Sequence, residues 1–287
     1  MQEKPLTSAT IQSAICPVCP HHCHLAAGQT GLCAARTNVN GKVTCTNYGQ
    51  LTAIALDPIE KKPLYHFHPG SVILSVGSYG CNLNCPFCQN YALSRAQSGN
   101  LPTHQYSPEE LTALAAEARE RYGNIGVAFT YNEPLVSYEY VRDCAKLLHA
   151  KNLAVVLVTN GQICAKPLTE LLPYIDAMNI DLKGFTQEFY DWLDGDLATT
   201  QQTIQSAVAA GIHVEITTLI IPGKNDRDAD MDAEARWLAG LSPAIPLHLS
   251  RYFPRYHCTL PATPIATLKR LQRIAAQYLQ YVHLGNV

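Results

Sequence analysis

The chain has 287 residues, a formal net charge of −2 and a pI near 6.6. That length suits one large α/β domain or two smaller ones, and the charge leaves no basic footprint for long nucleic acid. No apolar run reaches membrane-spanning length and Met1 to Ser13 lacks a hydrophobic leader, so the eleven cysteines, seven of them in two tight groups, point to metal sites in a reducing cytosol rather than to disulfides.

In chain order the first feature is Cys16-x2-Cys19-x3-Cys23 followed by Cys33, a set of four thiols interleaved with His21, His22 and His24. Four thiolates bind structural zinc tetrahedrally, and the same four can hold a [4Fe–4S] cluster. The spacing admits both, leaning slightly to zinc. With four thiols present, the histidines read as neighbours of the site rather than ligands. Residues 34–70 are expected to form a linker or hairpin turning at Asn40-Gly41. His66 and His68 are expected to arrive near the entrance of the second cysteine group, as packing or substrate-binding residues. Cys45, Cys144 and Cys164 read as ordinary buried or half-buried thiols, and Cys258 as a thiol near the rim without a visible partner.

The apolar run 71–78 is followed at once by Cys81-Asn82-Leu83-Asn84-Cys85-Pro86-Phe87-Cys88. Three thiolates so spaced can hold three irons of a cubane [4Fe–4S] cluster and leave the fourth iron without a protein ligand. An open metal position marks a catalytic site, whereas a closed zinc site needs a fourth ligand that the neighbouring residues do not supply. Three unrelated buried thiols are the bland alternative, since cysteine is often buried.

Beyond residue 70 short apolar strands alternate with amphipathic helices. Strands are expected at 71–78, 125–130, 153–158, 175–181, 213–221 and 246–250. Ser107-Pro108-Glu109-Glu110 predicts a capped helix start, with Gly123 as its stop. Further helices are expected at 135–151, 166–173, 200–210, 228–240 and 264–280. Six strand–helix units with right-handed crossovers predict an α/β fold, a partial (βα)6 TIM-type barrel over 71–287, with residues 1–70 forming a small cysteine-rich metal-binding element and linker. Polar loops follow each predicted strand: the cysteine loop, Thr130 to Pro134, Thr159-Asn160-Gly161, Asp181-Leu182-Lys183, Pro222 to Asp226 and Arg251 to Pro254. Such rims carry the active sites of barrels.

These motifs together resemble the radical S-adenosylmethionine (SAM) superfamily, including the pyruvate formate-lyase activating enzymes. They are similar above all to the AmmeMemoRadiSam-system radical SAM enzymes, through the N-terminal cysteines, the stretch Leu56 to Phe67, the loop ending Cys88-Gln89-Asn90, and Tyr131-Asn132-Glu133-Pro134. The resemblance implies that Cys81, Cys85 and Cys88 ligate the cluster and that the backbone of Phe87 meets the adenine. It implies that Asn132 and Glu133 replace a Gly-Gly-Glu motif, with Glu133 accepting from the SAM ammonium, a charge-assisted bond. Thr159 and Asn160 would line the ribose, and Asp181 and Lys183 would sit near the SAM carboxylate and sulfonium. Two positions depart from the activators. Val158 stands where an aspartate helps hold a monovalent cation, and Asp232 falls near a SAM-contacting histidine.

The implied activity is reductive cleavage of SAM to a 5′-deoxyadenosyl radical that takes hydrogen from an unidentified substrate, protein or small molecule. The implied partner is a reductant such as flavodoxin or ferredoxin. Activation of a glycyl radical enzyme, a non-catalytic iron–sulfur electron carrier and a metal-stapled scaffold are the alternatives. The weak charge counts against RNA. Many relatives are expected to continue past Gly285-Asn286-Val287.

Overall fold

A computed structural model describes residues 13–287; residues 1–12, most of the stretch read as lacking a leader, lie outside the described residues. The N-terminal element is built from short antiparallel pairs. Strands β1 (Ala14–Ile15) and β2 (His24–Leu25) pair with each other, and so do β3 (Arg36–Val39) and β4 (Lys42–Cys45). The β3–β4 turn is Asn40-Gly41 as expected. Both residues have left-handed backbone, φ 52° and 83°, which suits a two-residue hairpin turn. Strand β5 (Gln50–Leu51) pairs with β8 (His104–Gln105).

The main sheet has eight strands. Strand β6 (Ala53–Pro58) runs antiparallel to β7 (Val72–Gly77). From β7 the sheet continues in parallel through β9 (Asn124–Phe129), β10 (Ala154–Thr159), β11 (Ala177–Asp181), β12 (His213–Ile220), β13 (Leu247–Arg251) and β14 (Val282–Gly285). The six expected strands are all present and form a partial TIM-type barrel. Two further strands, β6 and β14, extend its edges. The division expected at residue 70 is therefore crossed by a six-residue ladder.

Following α1 (Tyr91–Ser94), one helical connection returns the chain between each pair of parallel strands. They are α2 (Pro108–Tyr122), α3 (Tyr138–Ala150), α4 (Ala165–Leu171), the pair α5 (Gln187–Asp191) and α6 (Leu197–Ala209), α7 (Asp228–Leu241) and α8 (Ile265–Ala275). The start of α2 forms by the expected chemistry. Ser107 Oγ accepts from the Glu110 N–H at 3.1 Å, the Glu110 carboxylate accepts from the Ser107 N–H at 2.7 Å, and Gly123 closes the helix at φ 71°. A single apolar core lies between these helices and the sheet, with Leu111, Leu148, Leu157, Ile204, Leu238 and Leu271 all fully buried.

The segment after β6 closes the amino-terminal end of the barrel. Ile59 and Leu64 are completely buried against Ile73, Ala128, Val156 and Ala177. Beside them, the Tyr65 and His66 N–H groups donate to the buried Glu215 carboxylate at 3.0 and 2.7 Å. The rings of His213 and His248 bond the same carboxylate at 2.9 and 2.6 Å, and His66 meets His283 at 2.9 Å. These partners lie at the starts of β12, β13 and β14. His66 thus lies at the end opposite the cysteine loop, and His68 is beside Gly123 and Asn124 at that same end. The expectation that both histidines flank the cluster entrance is corrected: Leu64 and Ile59 anchor the segment as a plug. Among the described residues no helix is long and apolar enough to cross a membrane.

Candidate active site

The cysteine loop leaves the end of β7 and is clipped in place by its neighbours. Gly80 has φ 90°, and a side chain there would strike the Cys33 carbonyl oxygen, so glycine is required on both counts. Arg95 reaches back to the carbonyl oxygens of Cys81 and Leu83. The Asn84 N–H donates to the Leu193 carbonyl at 2.8 Å. Leu83 and Phe87 turn inward into an apolar jacket with Phe189, Leu193, Ile221, Tyr252 and Cys258. The Phe87 ring packs on Trp192 at 5.5 Å and on Phe189 at 6.4 Å. Its ring is therefore committed to packing, which leaves its backbone for the cleft.

Cys81, Cys85 and Cys88 are half-buried free thiols on the wall of a cleft of about 260 Å³. Phe87, Asn132, Glu133, Thr159, Asn160, Asp181 and Lys183 line the same cleft. All ten expected site residues, drawn from four strand ends, thus meet in one place. Burial raises the Cys81 and Cys85 thiols, the latter to about 11 with Lys183 opposing the shift, so both stay protonated until a metal displaces the proton. The donor set fits a three-thiolate cluster with one open iron, because among the described residues no fourth thiol lines this cleft.

Glu133 is the centre of the polar wall. Its carboxylate accepts from the Leu135 N–H at 2.9 Å, the Thr159 hydroxyl at 2.7 Å and the Asn160 N–H at 2.7 Å. Burial raises its pKa to about 7, against the pull of those three bonds. Two of the donors fall on Oε1 and one on Oε2, so an acceptor site on Oε2 is left over. Thr159 and Asn160 hold Glu133, and the Asn160 amide also touches Cys81 Sγ at 3.7 Å. The Asn132 amide is committed to backbone. Its oxygen accepts from the Ser78 N–H at 2.9 Å, and its nitrogen donates to the carbonyls of Tyr79, Gly80 and Glu133 at 3.1 to 3.2 Å. Asn132 therefore braces the loop that carries Glu133.

Asp181 and Lys183 form an ion pair at 2.7 Å on the opposite side. Burial alone would lower the Lys183 ammonium, yet the Asp181 carboxylate beside it outweighs that and holds the group charged. Asn225 fixes this strand end by donating to the Lys183 carbonyl at 2.8 Å. Val158 lines the cleft with an apolar side chain. Asp232 does not reach it. It lies on α7 and bonds Arg236 and the Tyr278 hydroxyl at 2.7 Å each, so the expected proximity to a SAM contact is corrected. Residues given no role from the sequence also line the wall, among them Tyr131, Thr217, Leu219, Ser250 and Asn286. Tyr131 carried one local sign, its position before Asn132, but its left-handed φ of 72° is visible only in three dimensions.

In the N-terminal element, Cys16, Cys19, Cys23 and Cys33 line a second, smaller cavity together with Gly31, Arg36 and Asn82. The Cys16 N–H donates to the Cys23 carbonyl at 3.0 Å across the β1–β2 pair. His21 lines the same cavity and bonds the Asn82 carbonyl at 2.7 Å, while His22 and His24 are exposed. Cys144 is a core residue, and Cys45 bonds the Asn47 side chain.

A three-thiol loop after the first parallel strand of a partial barrel, facing a carboxylate and an ion pair on neighbouring strand ends, defines a class of iron–sulfur enzyme. A sequence model of the radical SAM superfamily matches residues 75–235, and the chain belongs to that superfamily. Membership implies a [4Fe–4S] cluster and SAM as cofactors. An uncharacterized protein of Methanocaldococcus jannaschii is 38% identical over 275 residues, covering 95% of this chain and 81% of that one. The benzylsuccinate synthase activating enzyme of Thauera aromatica is 30% identical over 138 residues, 46% of this chain and 41% of that one. Among solved structures, SuiB of Streptococcus suis bound to precursor peptide SuiA has a TM-score of 0.58 at 15% identity, covering 72% of this chain and 47% of that one. A radical SAM methyltransferase from Sphaerobacter thermophilus has a TM-score of 0.55 at 19% identity, covering 76% and 67%. These two likenesses establish the fold.

Proposed function

We propose that this chain is a SAM-cleaving enzyme whose cluster is held by Cys81, Cys85 and Cys88 and whose product radical removes hydrogen from a substrate. With SAM bound, such a cluster supplies one electron to break a sulfur–carbon bond, yielding methionine and a 5′-deoxyadenosyl radical. The protein binds and orients. Glu133 presents its remaining acceptor on Oε2 to the SAM ammonium. Lys183 offers a charged donor to the SAM carboxylate, with Asp181 keeping that ammonium in position. Thr159 and Asn160 hold the Glu133 carboxylate, and Asn132 fixes the turn on which it rides. Leu83, Val158 and Leu219 give the cleft apolar walls that exclude water around a reactive radical.

The observation that carries this reading is the convergence of ten residues, separated by up to about a hundred positions in sequence, on one cleft at the carboxyl ends of the strands. The test is anaerobic incubation of the reconstituted, dithionite-reduced protein with SAM, followed by assay for 5′-deoxyadenosine and methionine. An electron carrier or a scaffold gives neither product. The electron donor is proposed to be a low-potential protein such as flavodoxin or ferredoxin, and the four N-terminal thiols a second metal centre.

A second reading, activation of a glycyl radical enzyme, is favoured by the 30% identity to the benzylsuccinate synthase activating enzyme. The substrate would then be a glycine in a partner protein. The stretch from Leu56 to Asn90 supports instead a place among the AmmeMemoRadiSam-system enzymes, whose substrate is open. Deuterium transfer from a glycine-labelled partner into 5′-deoxyadenosine separates the two.

A further inference from the structure

We propose that the buried ion pair Asp57–Lys62 positions the SAM-binding carboxylate: it anchors the phenol of Tyr131, and through that residue holds the turn that carries Glu133. The inference rests on the function proposed above and gives two residues of the stretch Leu56 to Phe67 a chemical task.

Tyr131 has a left-handed φ of 72°. A bulky side chain is sterically disfavoured in that region, so contacts outside the turn must hold it there. Three do so. The Tyr131 carbonyl accepts from the Asn90 amide at 2.8 Å, which ties it to the cysteine loop. The Tyr131 hydroxyl donates to Asp57 Oδ2 at 2.8 Å. The Lys62 ammonium sits over the Tyr131 ring, 4.9 Å from its centre.

The anchor is deep and electrostatically costly. Asp57 is 7% exposed and Lys62 2%. Lys62 Nζ bonds Asp57 Oδ2 at 2.8 Å, and the exposed Lys61 bonds Oδ1 at 3.0 Å. Burial pulls the Lys62 ammonium below its ordinary value even with Asp57 beside it. Two charges withdrawn from water in this way gain little stability over apolar residues of similar size. Their presence fits a task that apolar residues cannot perform. One oxygen, Asp57 Oδ2, accepts from both the ammonium and the phenol, so the ammonium fixes the atom to which Tyr131 is tied by a short, directional bond.

The path to the cofactor is short. Tyr131 lines the cleft, and Asn132 and Glu133 follow it directly. Asp57 pairs with Ile73 near the start of β7, so the Tyr131 side chain spans from the rim toward the plugged end of the barrel. Without that tie the strained turn relaxes and the free acceptor of Glu133 moves. Asp57 and Lys62 touch neither SAM nor the cluster and act through Tyr131 as positioning residues.

The test uses the reconstituted full chain and measures SAM affinity, iron and sulfide content, melting temperature, and 5′-deoxyadenosine formation at saturating SAM. Tyr131→Phe keeps the ring and loses the bond to Asp57. It should raise the dissociation constant for SAM about tenfold, with the cluster intact and the rate at saturating SAM largely kept. Asp57→Asn should act in the same direction, and the two together should be no weaker than the weaker single variant, because both act through one bond. Additive losses refute that coupling. Asp57→Asn leaves the Lys62 ammonium buried without its counter-charge, so a second variant guards against misfolding. Asp57→Leu, Lys62→Met and Tyr131→Phe together remove both charges and the hydroxyl, and should melt near the wild-type temperature. SAM affinity should still fall about tenfold in this triple variant. Wild-type affinity there, or a lost rate with unchanged affinity, overturns the proposal. A wild type with an intact cluster that neither binds nor cleaves SAM defeats instead the function proposed above.

Discussion

Replacing Glu133 with glutamine tests the site most directly, because shape is kept while charge is lost. In the wild type three donors occupy the carboxylate, which leaves one acceptor position on Oε2 for SAM. The glutamine oxygen can keep the Leu135 N–H and the Thr159 hydroxyl. Its NH2 group then faces the Asn160 N–H and the SAM ammonium, donor against donor. A hydrogen bond to a charged group contributes about 1.5–3 kcal/mol, so Glu133→Gln should weaken SAM binding about 10- to 150-fold. The orphaned Asn160 N–H costs a further ~1–3 kcal/mol of stability. Titration calorimetry with SAM gives the affinity, and iron and sulfide analysis checks that the cluster is intact, since Glu133 makes no hydrogen bond to a cysteine. Wild-type affinity in a fully loaded Glu133→Gln protein would show that this carboxylate only ties strand ends together, and the site assignment would fail.

Cys81→Ala, Cys85→Ala and Cys88→Ala should each abolish 5′-deoxyadenosine formation, because three thiolates leave no spare ligand; turnover by any one of them would refute the cluster assignment. Lys183→Met should raise the dissociation constant for SAM about tenfold or more through loss of a charged partner, with little rescue by Lys183→Arg, whose planar fork cannot replace a point charge; binding assays decide. Gly77→Ala would set a methyl 2.8 Å from the Tyr131 ring and 3.0 Å from the Thr130 carbonyl, and should displace the Glu133 loop at a cost of about 1–3 kcal/mol, read by urea melts and SAM affinity. Burial would raise Glu215, but bonds from His213, His248 and the His66 and Tyr65 N–H groups outweigh it and hold the carboxyl near 2, against 4.5 for the free side chain. A lowered acid pKa stabilises fully above 4.5 and is lost as pH falls toward 2, a change of roughly 3 kcal/mol. Melts of wild type and Glu215→Gln should therefore converge between pH 5 and pH 2, and parallel curves would contradict this.

Much of the architecture was legible because local chemistry repeats at each strand–helix step. The α2 start is set by three residues, Ser107, Pro108 and Glu110, and needs no tertiary partner. Strands β7, β9 and β10 are short, mostly apolar runs, the mark of strands buried on both faces, whereas β11, β12 and β13 carry Asn179, Glu215 and His248 within them. The edges escaped. Strand β6 ends in Pro58, which is tolerated only where no neighbour needs its N–H. Strand β14 lies just past the expected helix over 264–280, in a stretch given no element, and that expected helix overran α8, which stops at Ala275. His66 and His68 were misplaced for a related reason. Nothing local tells whether a linker plugs the bottom of a barrel or crosses its top, and Glu215, some 150 residues away, decides it.

What the sequence determined alone was the set of chemical groups and the order in which strands deliver them. Cysteine spacing fixes which thiols share a loop, since a few residues of chain leave few alternatives. Which side chain carries which task was settled by packing. Asn132 turns its amide to the backbone, Asp232 pairs with Arg236 on its own helix and with Tyr278 in the turn after α8, and Asn82 joins two cysteine sites, because polar groups find partners wherever the folded chain brings them.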